Sequence, residues 1–177
     1  MENKNEKTTN RSMLTGMFSD RDSAENAYRV LRERGYSDND VNLMMSDETR
    51  KKYFSDKDSE LGNKAMEGAG KGSAIGGTLG AIIGAVAEIG TSVLIPGLGL
   101  VIAGPLAVGL AAAGAGGAAG GLIGALIGSG IPEDRARKYE SGVKDGRIVM
   151  GVHPRSEEDA QHIEREWIVS KGEEVYR

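Results

Sequence analysis

Few residues of this sequence could take part in chemistry. The segment that comes closest to a known binding motif resembles a phosphate-binding loop. The segment Gly70-Lys71-Gly72-Ser73 places a lysine among glycines. A phosphate-binding loop needs Ser or Thr directly after its Gly-Lys pair and another glycine five residues before the Gly. Here Gly72 follows the lysine and Ala65 stands at the earlier position. Gly114-Ala115-Gly116 has no strand before it, so it does not form a dinucleotide-binding turn either. We therefore predict no cofactor.

The chain contains two histidines, His153 and His162, and no cysteine. Their spacing could bring them together at a strand end and a helix start, but a metal site needs more nitrogen, sulfur or carboxylate ligands than the sequence places beside them. The lack of cysteine excludes disulfides and thiolate chemistry. No Ser, His and Asp set can be nominated. The expectation is no catalytic residues, no metal ligands and no enzyme activity.

The charge balance also limits the partners. The chain has 177 residues and a net charge of -4, whereas phosphate-binding surfaces are normally basic. The arginine clusters are interleaved with acids and indicate solvated faces, so we expect no nucleic-acid partner. The sequence contains no binding constellation that would identify a small-molecule substrate. The polar segment Met1–Arg11 lacks the apolar core of a secretory signal, which favours a cytoplasmic location.

The most unusual segment runs from Gly68 to Gly130, where Lys71 and Glu88 are the only charges. Glycine inside a helix costs about 1 kcal/mol relative to alanine, but small residues at four-residue spacing let two helices approach closely. We predict two close-packed antiparallel helices joined by a broken turn at residues 94–105. The predicted helix-packing residues are Gly68, Gly72, Gly76, Gly80, Gly84, Gly116, Gly120, Gly124 and Gly128.

Glu88 lies four residues after Gly84 and continues the first glycine series. A carboxylate buried in lipid is costly and often functional, which makes Glu88 a candidate functional carboxylate. The simpler interpretation, which we favour, is that Glu88 marks the far tip of the hairpin, where the first helix reaches water.

The segment before the glycine series reads as strand, helix, strand. An apolar run at Met13–Phe18 contains Gly16, which indicates a close backbone approach. The alternating run Val41–Met45 predicts a second strand, and Gly35 suits the end of the helix between them. The buried face of that helix is predicted to contain Ala24, Ala27, Tyr28 and Leu31.

The segment after the glycine series repeats this pattern. A helix is expected to begin at Pro132 and end at Gly142, and Ile148–Val152 has the composition of a central strand. Ser156 and Asp159 resemble a capping box. The following helix should bury Ala160, Ile163 and Trp167, end at Gly172 and lead into a last strand at 173–177.

Two such units predict an α+β fold, a ferredoxin-like split βαβ sandwich with a four-stranded antiparallel sheet and two helices on one face. The glycine-zipper hairpin is then inserted between strands two and three. The predicted divisions are a disordered tail at 1–11, the first half of the α+β domain at 12–46, a charged connector at 47–66, the hairpin at 67–131 and the second half at 132–177.

Several motifs in their order resemble the bacterial general stress proteins of the 17M-like kind, which include heat-induced and low-temperature-induced proteins. The motifs are Thr15-Gly16-Met17-Phe18-Ser19-Asp20-Arg21-Asp22-Ser23-Ala24-Glu25, Leu31 with Gly35-Tyr36, Met45-Ser46-Asp47-Glu48-Thr49-Arg50, and Gly130-Ile131-Pro132-Glu133-Asp134 with Tyr139-Glu140-Ser141-Gly142-Val143. The resemblance implies a stress-induced, non-catalytic protein and brings no active-site residues with it.

Two functions remain open at this stage. The first is self-association into a homo-oligomer through the glycine zipper, because a single hairpin would expose apolar faces to water. The alternative is a hairpin inserted into or bound to a membrane, which acts on the bilayer or protects it under stress. Three features argue against the alternative. They are the high glycine and alanine content, the charge of Glu88 and the lack of a dense positive cluster beside the helices.

Overall fold

The computed structural model describes residues 12–54, 93–95, 99–108 and 121–177. Its strands form one six-stranded sheet, in which every neighbouring pair is antiparallel and the order is β3-β4-β2-β5-β1-β6. The strands are β1 (Leu14–Phe18), β2 (Val41–Ser46), β3 (Val93–Ile95), β4 (Leu100–Ala103), β5 (Ile148–Val152) and β6 (Glu173–Tyr176). The described part is therefore an α+β fold, as predicted.

The helices of the described part cover both faces of this sheet. They are α1 (Arg21–Glu33), α2 (Asp47–Phe54), α3 (Gly121–Gly128), α4 (Glu133–Lys144) and α5 (Glu157–Val169). Helices α1 and α5 lie on one face, which we call the α1–α5 face, and α3 and α4 lie on the other, the α3–α4 face. Because both faces are covered, all five residues of β1 and all five of β5 are buried.

Helix α1 begins and ends where its sequence predicts. The Asp20 carboxylate accepts a hydrogen bond from the Ser23 backbone N–H at 2.8 Å, which satisfies one of the free donors of the first turn. At the other end Gly35 has a φ of 78°, and the Tyr36 N–H reaches the Leu31 carbonyl at 3.0 Å. This is the left-handed C-terminal cap that glycine favours.

The α1–α5 face contains the aromatic part of the core. Trp167 is fully buried and meets Phe18 edge to face, with ring centroids 5.7 Å apart. Its indole Nε1 donates to the Ala27 carbonyl at 3.1 Å, so the one polar atom of the ring is satisfied. An ideal Cβ on Gly16 would lie 2.9 Å from the Trp167 ring, which confirms the predicted close approach at this glycine.

The α3–α4 face has a core of flexible and branched aliphatic side chains. Met13, Met17 and Met44 are at most 5% exposed and pack with the inward residues of the two helices. This second cluster also contains Leu100, Ile102, Ala107, Leu122, Leu126, Ile131, Ala136, Tyr139, Val143 and Val149.

The predicted four-stranded sheet was two strands short, and the predicted broken turn at 94–105 was wrong. Residues 93–95 and 100–103 form strands β3 and β4, which pair with each other in the register Leu94↔Val101. Strand β4 also pairs with β2, in the register Met44↔Ile102. Both runs are short and apolar, and β4 supplies a hydrogen-bonding partner to a β2 edge that would otherwise be open.

Two predicted helix ends also differ from the structure. Helix α4 continues through Gly142 to Lys144, because Gly142 provides space: a Cβ there would overlap Met17 Sδ. The left-handed turn follows at Gly146, with a φ of 87°. Helix α5 ends at Val169, and the residue with positive φ is Lys171 rather than Gly172. Helix α2 begins directly after β2 and occupies the first part of the predicted charged connector.

Candidate functional site

Helix α3 is the part of the glycine series that the structure describes, and glycines mark both its ends. Gly121 has a φ of 57° and Gly130 a φ of 86°. After the last turn, the Ile131 N–H donates to the Leu126 carbonyl at 3.0 Å and the Gly130 N–H to the Ile127 carbonyl at 2.9 Å. These paired bonds stop the helix and turn the chain toward α4.

The inward side of α3 holds it firmly on the sheet. Leu122 and Leu126, four residues apart and so on one helical face, have no exposed surface. They pack into the cluster of the α3–α4 face, where Ile131 is 2% exposed. The remaining surface of α3 is therefore fixed in its direction, away from the sheet.

The outward side consists of Gly124, Ile127 and Gly128, and we call it the glycine face of α3. Among the residues that the structure describes, none has an atom within 4 Å of an ideal Cβ on either glycine, and Ile127 is 43% exposed. Helix α3 has no charged residue. The result is an apolar surface with two points at which another backbone could approach closely.

A second exposed apolar residue follows β4. The buried Asn42 side chain accepts a hydrogen bond from the Leu106 N–H at 2.8 Å through Oδ1 and so fixes the helical turn at 105–108. Within this turn Ala107 is fully buried, whereas Val108 is 52% exposed. The turn thus leaves the sheet in a defined direction.

Most of the predicted site lies outside the described residues. Of the nine predicted helix-packing glycines, only Gly124 and Gly128 belong to the described part, and no other described residue lies within 4 Å of an ideal Cβ on either. The others, together with Glu88 and the segment 70–73, fall in the remaining ranges. His153 is exposed and His162 is half-buried. Among the described residues, no three His, Cys, Asp or Glu side chains form a group that could hold a metal ion.

A polar network that the sequence analysis missed joins the loop after α1 to the start of α5. The Asp159 carboxylate accepts hydrogen bonds from Arg34 Nε at 2.8 Å and from the Tyr36 hydroxyl at 3.0 Å. The same hydroxyl accepts from the Arg155 N–H at 2.9 Å, and the Arg155 guanidinium lies 4.2 Å from the centre of the Tyr36 ring. Every polar atom named here has a partner, so the network is built to hold two loops together.

The sequence pattern at Ser156 and Asp159 predicts a local capping box and gives no indication of this network. Ser156 does cap α5, since its hydroxyl accepts from the Asp159 N–H at 3.0 Å. In a complete capping box the third residue, usually Glu or Gln, reaches back to the cap. The shorter Asp159 side chain turns instead to Arg34 and Tyr36, and no local pattern predicts partners more than a hundred residues away in the sequence.

The ionisation of this network follows from its contacts. Burial alone would raise the pKa of Asp159, but the hydrogen bonds from Arg34 and Tyr36 and the nearby positive charges outweigh it and lower the pKa below the ordinary 3.8. Burial, together with donation to Asp159, raises the pKa of the Tyr36 hydroxyl. Asp159 is therefore ionised and Tyr36 neutral near neutral pH.

The helices of the described ranges include none with the length and apolar character that a membrane crossing requires. No protein-family model, no curated protein and no solved structure matches this chain. The resemblance to general stress proteins therefore stays a prediction that rests on the sequence motifs.

Proposed function

We propose that this protein is a non-enzymatic bacterial stress-response protein that self-associates through the glycine face of α3. The observation that carries the proposal is the division of α3 into two sides. Leu122 and Leu126 are fully buried against the sheet, while no described residue lies within 4 Å of an ideal Cβ on Gly124 or Gly128 and Ile127 is 43% exposed. A rigidly seated helix with an uncharged, glycine-containing outer side suits close packing against a second helix.

The partner that we propose is a second copy of the chain. Residues of this surface are small and apolar, so two copies can meet without burying a charge. Exposed apolar surface on a soluble protein commonly marks an interaction site. The other predicted helix-packing glycines lie on either side of β3 and β4 in the sequence. They would extend the same kind of contact.

We also propose that β1, α1, β2, β5, α5 and β6 form a ferredoxin-like split βαβ unit and that the glycine zipper is an insertion between β2 and β5. The strand order β2-β5-β1-β6 and the placement of α1 and α5 on one face support this assignment. Amide hydrogen exchange checks it, because the central strands β1 and β5 should exchange most slowly. Faster exchange in β5 than in β6 would contradict the assignment.

The self-association is tested with the double variant Gly124→Leu/Gly128→Leu. Since no described atom lies within 4 Å of either ideal Cβ, the added side chains should leave the fold intact and block only what packs against the glycine face. We expect the double variant to be monomeric where the wild-type protein is oligomeric, as measured by analytical ultracentrifugation. Its circular dichroism spectrum should be the same as that of the wild-type protein.

The matched control is Gln161→Leu/Arg165→Leu, which adds two leucines at the same spacing on the exposed side of α5. The control variant should keep the wild-type mass. A monomeric wild-type protein, or an oligomer of equal mass in both variants, would contradict the proposal. Association that requires lipid vesicles would instead support the membrane alternative.

A further inference from the structure

The last strand of the sheet, β6, is held at the edge of β1 by an irregular pairing. Only two residue pairs define its register, Thr15↔Tyr176 and Met17↔Glu173, and a bulge separates them. No residue of β6 is fully buried. The backbone pairing therefore contributes less to the position of β6 than it does for the central strands.

Charged side chains from other elements complete the attachment of β6. Glu174 accepts from Arg135 Nη1 at 2.7 Å and from Lys138 Nζ at 3.0 Å, and Glu173 pairs with Arg147. These cations belong to α4 and to the turn before β5. The acidic strand therefore lies beside a basic surface to which it is complementary.

Uncharged contacts from α4 add to this recognition. The Tyr139 hydroxyl donates to the Glu174 carbonyl at 2.6 Å, and the Arg135 guanidinium lies 4.8 Å from the centre of the Tyr176 ring. All of these partners lie outside β6 and its connecting turn, so they would recognise the same strand from another molecule equally well.

The turn between α5 and β6 is short and strained. It consists of residues 170–172, and Lys171 has a φ of 62°. Residues other than glycine are disfavoured in this left-handed region, and Glu174 in the strand has a φ of 49° as well. Short hinge loops under strain favour the exchange of the element that follows them, because the extended hinge relieves the strain.

We propose that β6 exchanges between two copies of this chain, so that β6 of one copy pairs with β1 of the other. The exchanged dimer has the same strand pairing and the same ion pairs as the monomer, and both hinges lose their left-handed residue. This mode of association is independent of the glycine face of α3.

The absence of cysteine from the sequence permits a direct test by disulfide trapping. One full-length chain carries Thr15→Cys and a second carries Tyr176→Cys; these positions face each other across β1 and β6. Neither chain can form the bond alone, so a disulfide between the two introduced thiols after mixing and mild oxidation requires exchange. The control pair is Thr15→Cys with Gln161→Cys, whose second position is exposed on α5.

We expect the first pair to give about tenfold or more mixed disulfide than the control pair, since exchange holds the two thiols at a high effective concentration. Equal yields would overturn the proposal.

Adding Lys171→Gly to both chains should lower the yield about fivefold, because glycine carries no strain at positive φ. An unchanged yield would overturn the role of the hinge. The excess must persist in Gly124→Leu/Gly128→Leu chains, which separates this result from association through α3.

Discussion

The two faces of the sheet differ in their aromatic content. The α1–α5 face buries four aromatic side chains together with Met45 and Met150, whereas the α3–α4 face buries one, Tyr139, together with three methionines. Trp167 has one hydrogen-bond partner and one edge-to-face neighbour, and the missing side chain of Gly16 leaves room for its ring. Met13, Met17 and Met44 have flexible chains that can adapt to what packs on them, although Met13 Sδ accepts a hydrogen bond from Asn42 Nδ2 at 3.4 Å. The α1–α5 face therefore has the more directional packing of the two.

The helices of the two faces also differ in the kind of contact that holds them in place. The loops at the ends of α1 and α5 are joined by the network of Arg34, Tyr36, Arg155 and Asp159. Helix α3 has no ion pair, since it has no charged residue, and among its described side chains Leu122 and Leu126 are fully buried while Ile123 packs against the same cluster. A helix attached on one side by two leucines can present its other side to a partner.

The largest expected effect is the loss of the central aromatic ring. Trp167→Ala should lower the free energy of unfolding by about 3–5 kcal/mol, because it removes a fully buried indole and leaves a cavity. Urea unfolding followed by circular dichroism measures the loss. The neighbouring variant Ile168→Ala, at a position that is 58% exposed, should change stability by less than about 0.5 kcal/mol. Similar losses for both variants would show that the tryptophan does not organise this face.

A pair of glycine substitutions compares the rigidity of the two faces. Gly16→Ala should cost about 1–3 kcal/mol, since its Cβ would meet the Trp167 ring at 2.9 Å and the ring cannot move aside. Gly142→Ala should cost less than Gly16→Ala, because the overlapping atom is the thioether of the flexible Met17 side chain, which can shift, and the gain of about 1 kcal/mol for alanine in a helix offsets part of the cost. Chemical denaturation of both variants checks the comparison, and an equal cost would contradict the difference in rigidity.

A stabilising substitution tests whether the outer side of α3 is open. Gly124→Ala should raise the free energy of unfolding by up to about 1 kcal/mol, because no described residue lies within 4 Å of the added methyl and the helix propensity improves. The contrasting variant is Gly146→Ala, which should lower stability because Gly146 has a φ of 87°. A loss of stability at Gly124 would mean that the glycine is closely packed within the chain.

The smallest expected effect is the pH dependence of the polar network on the α1–α5 face. The pKa of Asp159 is lower in the folded protein than its ordinary 3.8, so its contribution is present above that value and is lost as the pH falls through the folded pKa. Asp159→Asn should therefore reduce the loss of stability between pH 5 and about pH 2. Urea midpoints at several pH values measure this slope. The same slope in both proteins would contradict the role of Asp159.

Local patterns in the sequence predicted the elements that local physics decides. The alternation of Val41–Met45 and the helical spacing of Ala160, Ile163 and Trp167 identified β2 and the buried side of α5, because these periodicities are imposed by the backbone itself. The caps at Asp20 and Ser156 involve partners only three residues away.

The contacts that were missed join distant residues. The residues around Asp159 in the sequence do not indicate that its partners are Arg34, which lies 125 residues earlier, and Tyr36. Likewise, residues 93–95 and 100–103 suit a turn between helices when considered alone, but β4 forms because the edge of β2 is available to it, and β3 pairs with β4 in turn. For the candidate site, the sequence predicted Gly124 and Gly128 as helix-packing residues but could not say which side of α3 faces the sheet.

The sequence by itself determined the order of strands and helices in both flanks, the glycine spacing and the absence of thiol chemistry, since each depends on residue type and short-range geometry. Only the tertiary structure decided that a strand pair extends the sheet, that Gly142 lies inside a helix against Met17, and that the glycines of α3 face outward. The physical reason is that these features depend on which surfaces meet across the sheet, and burial is a property of the whole fold.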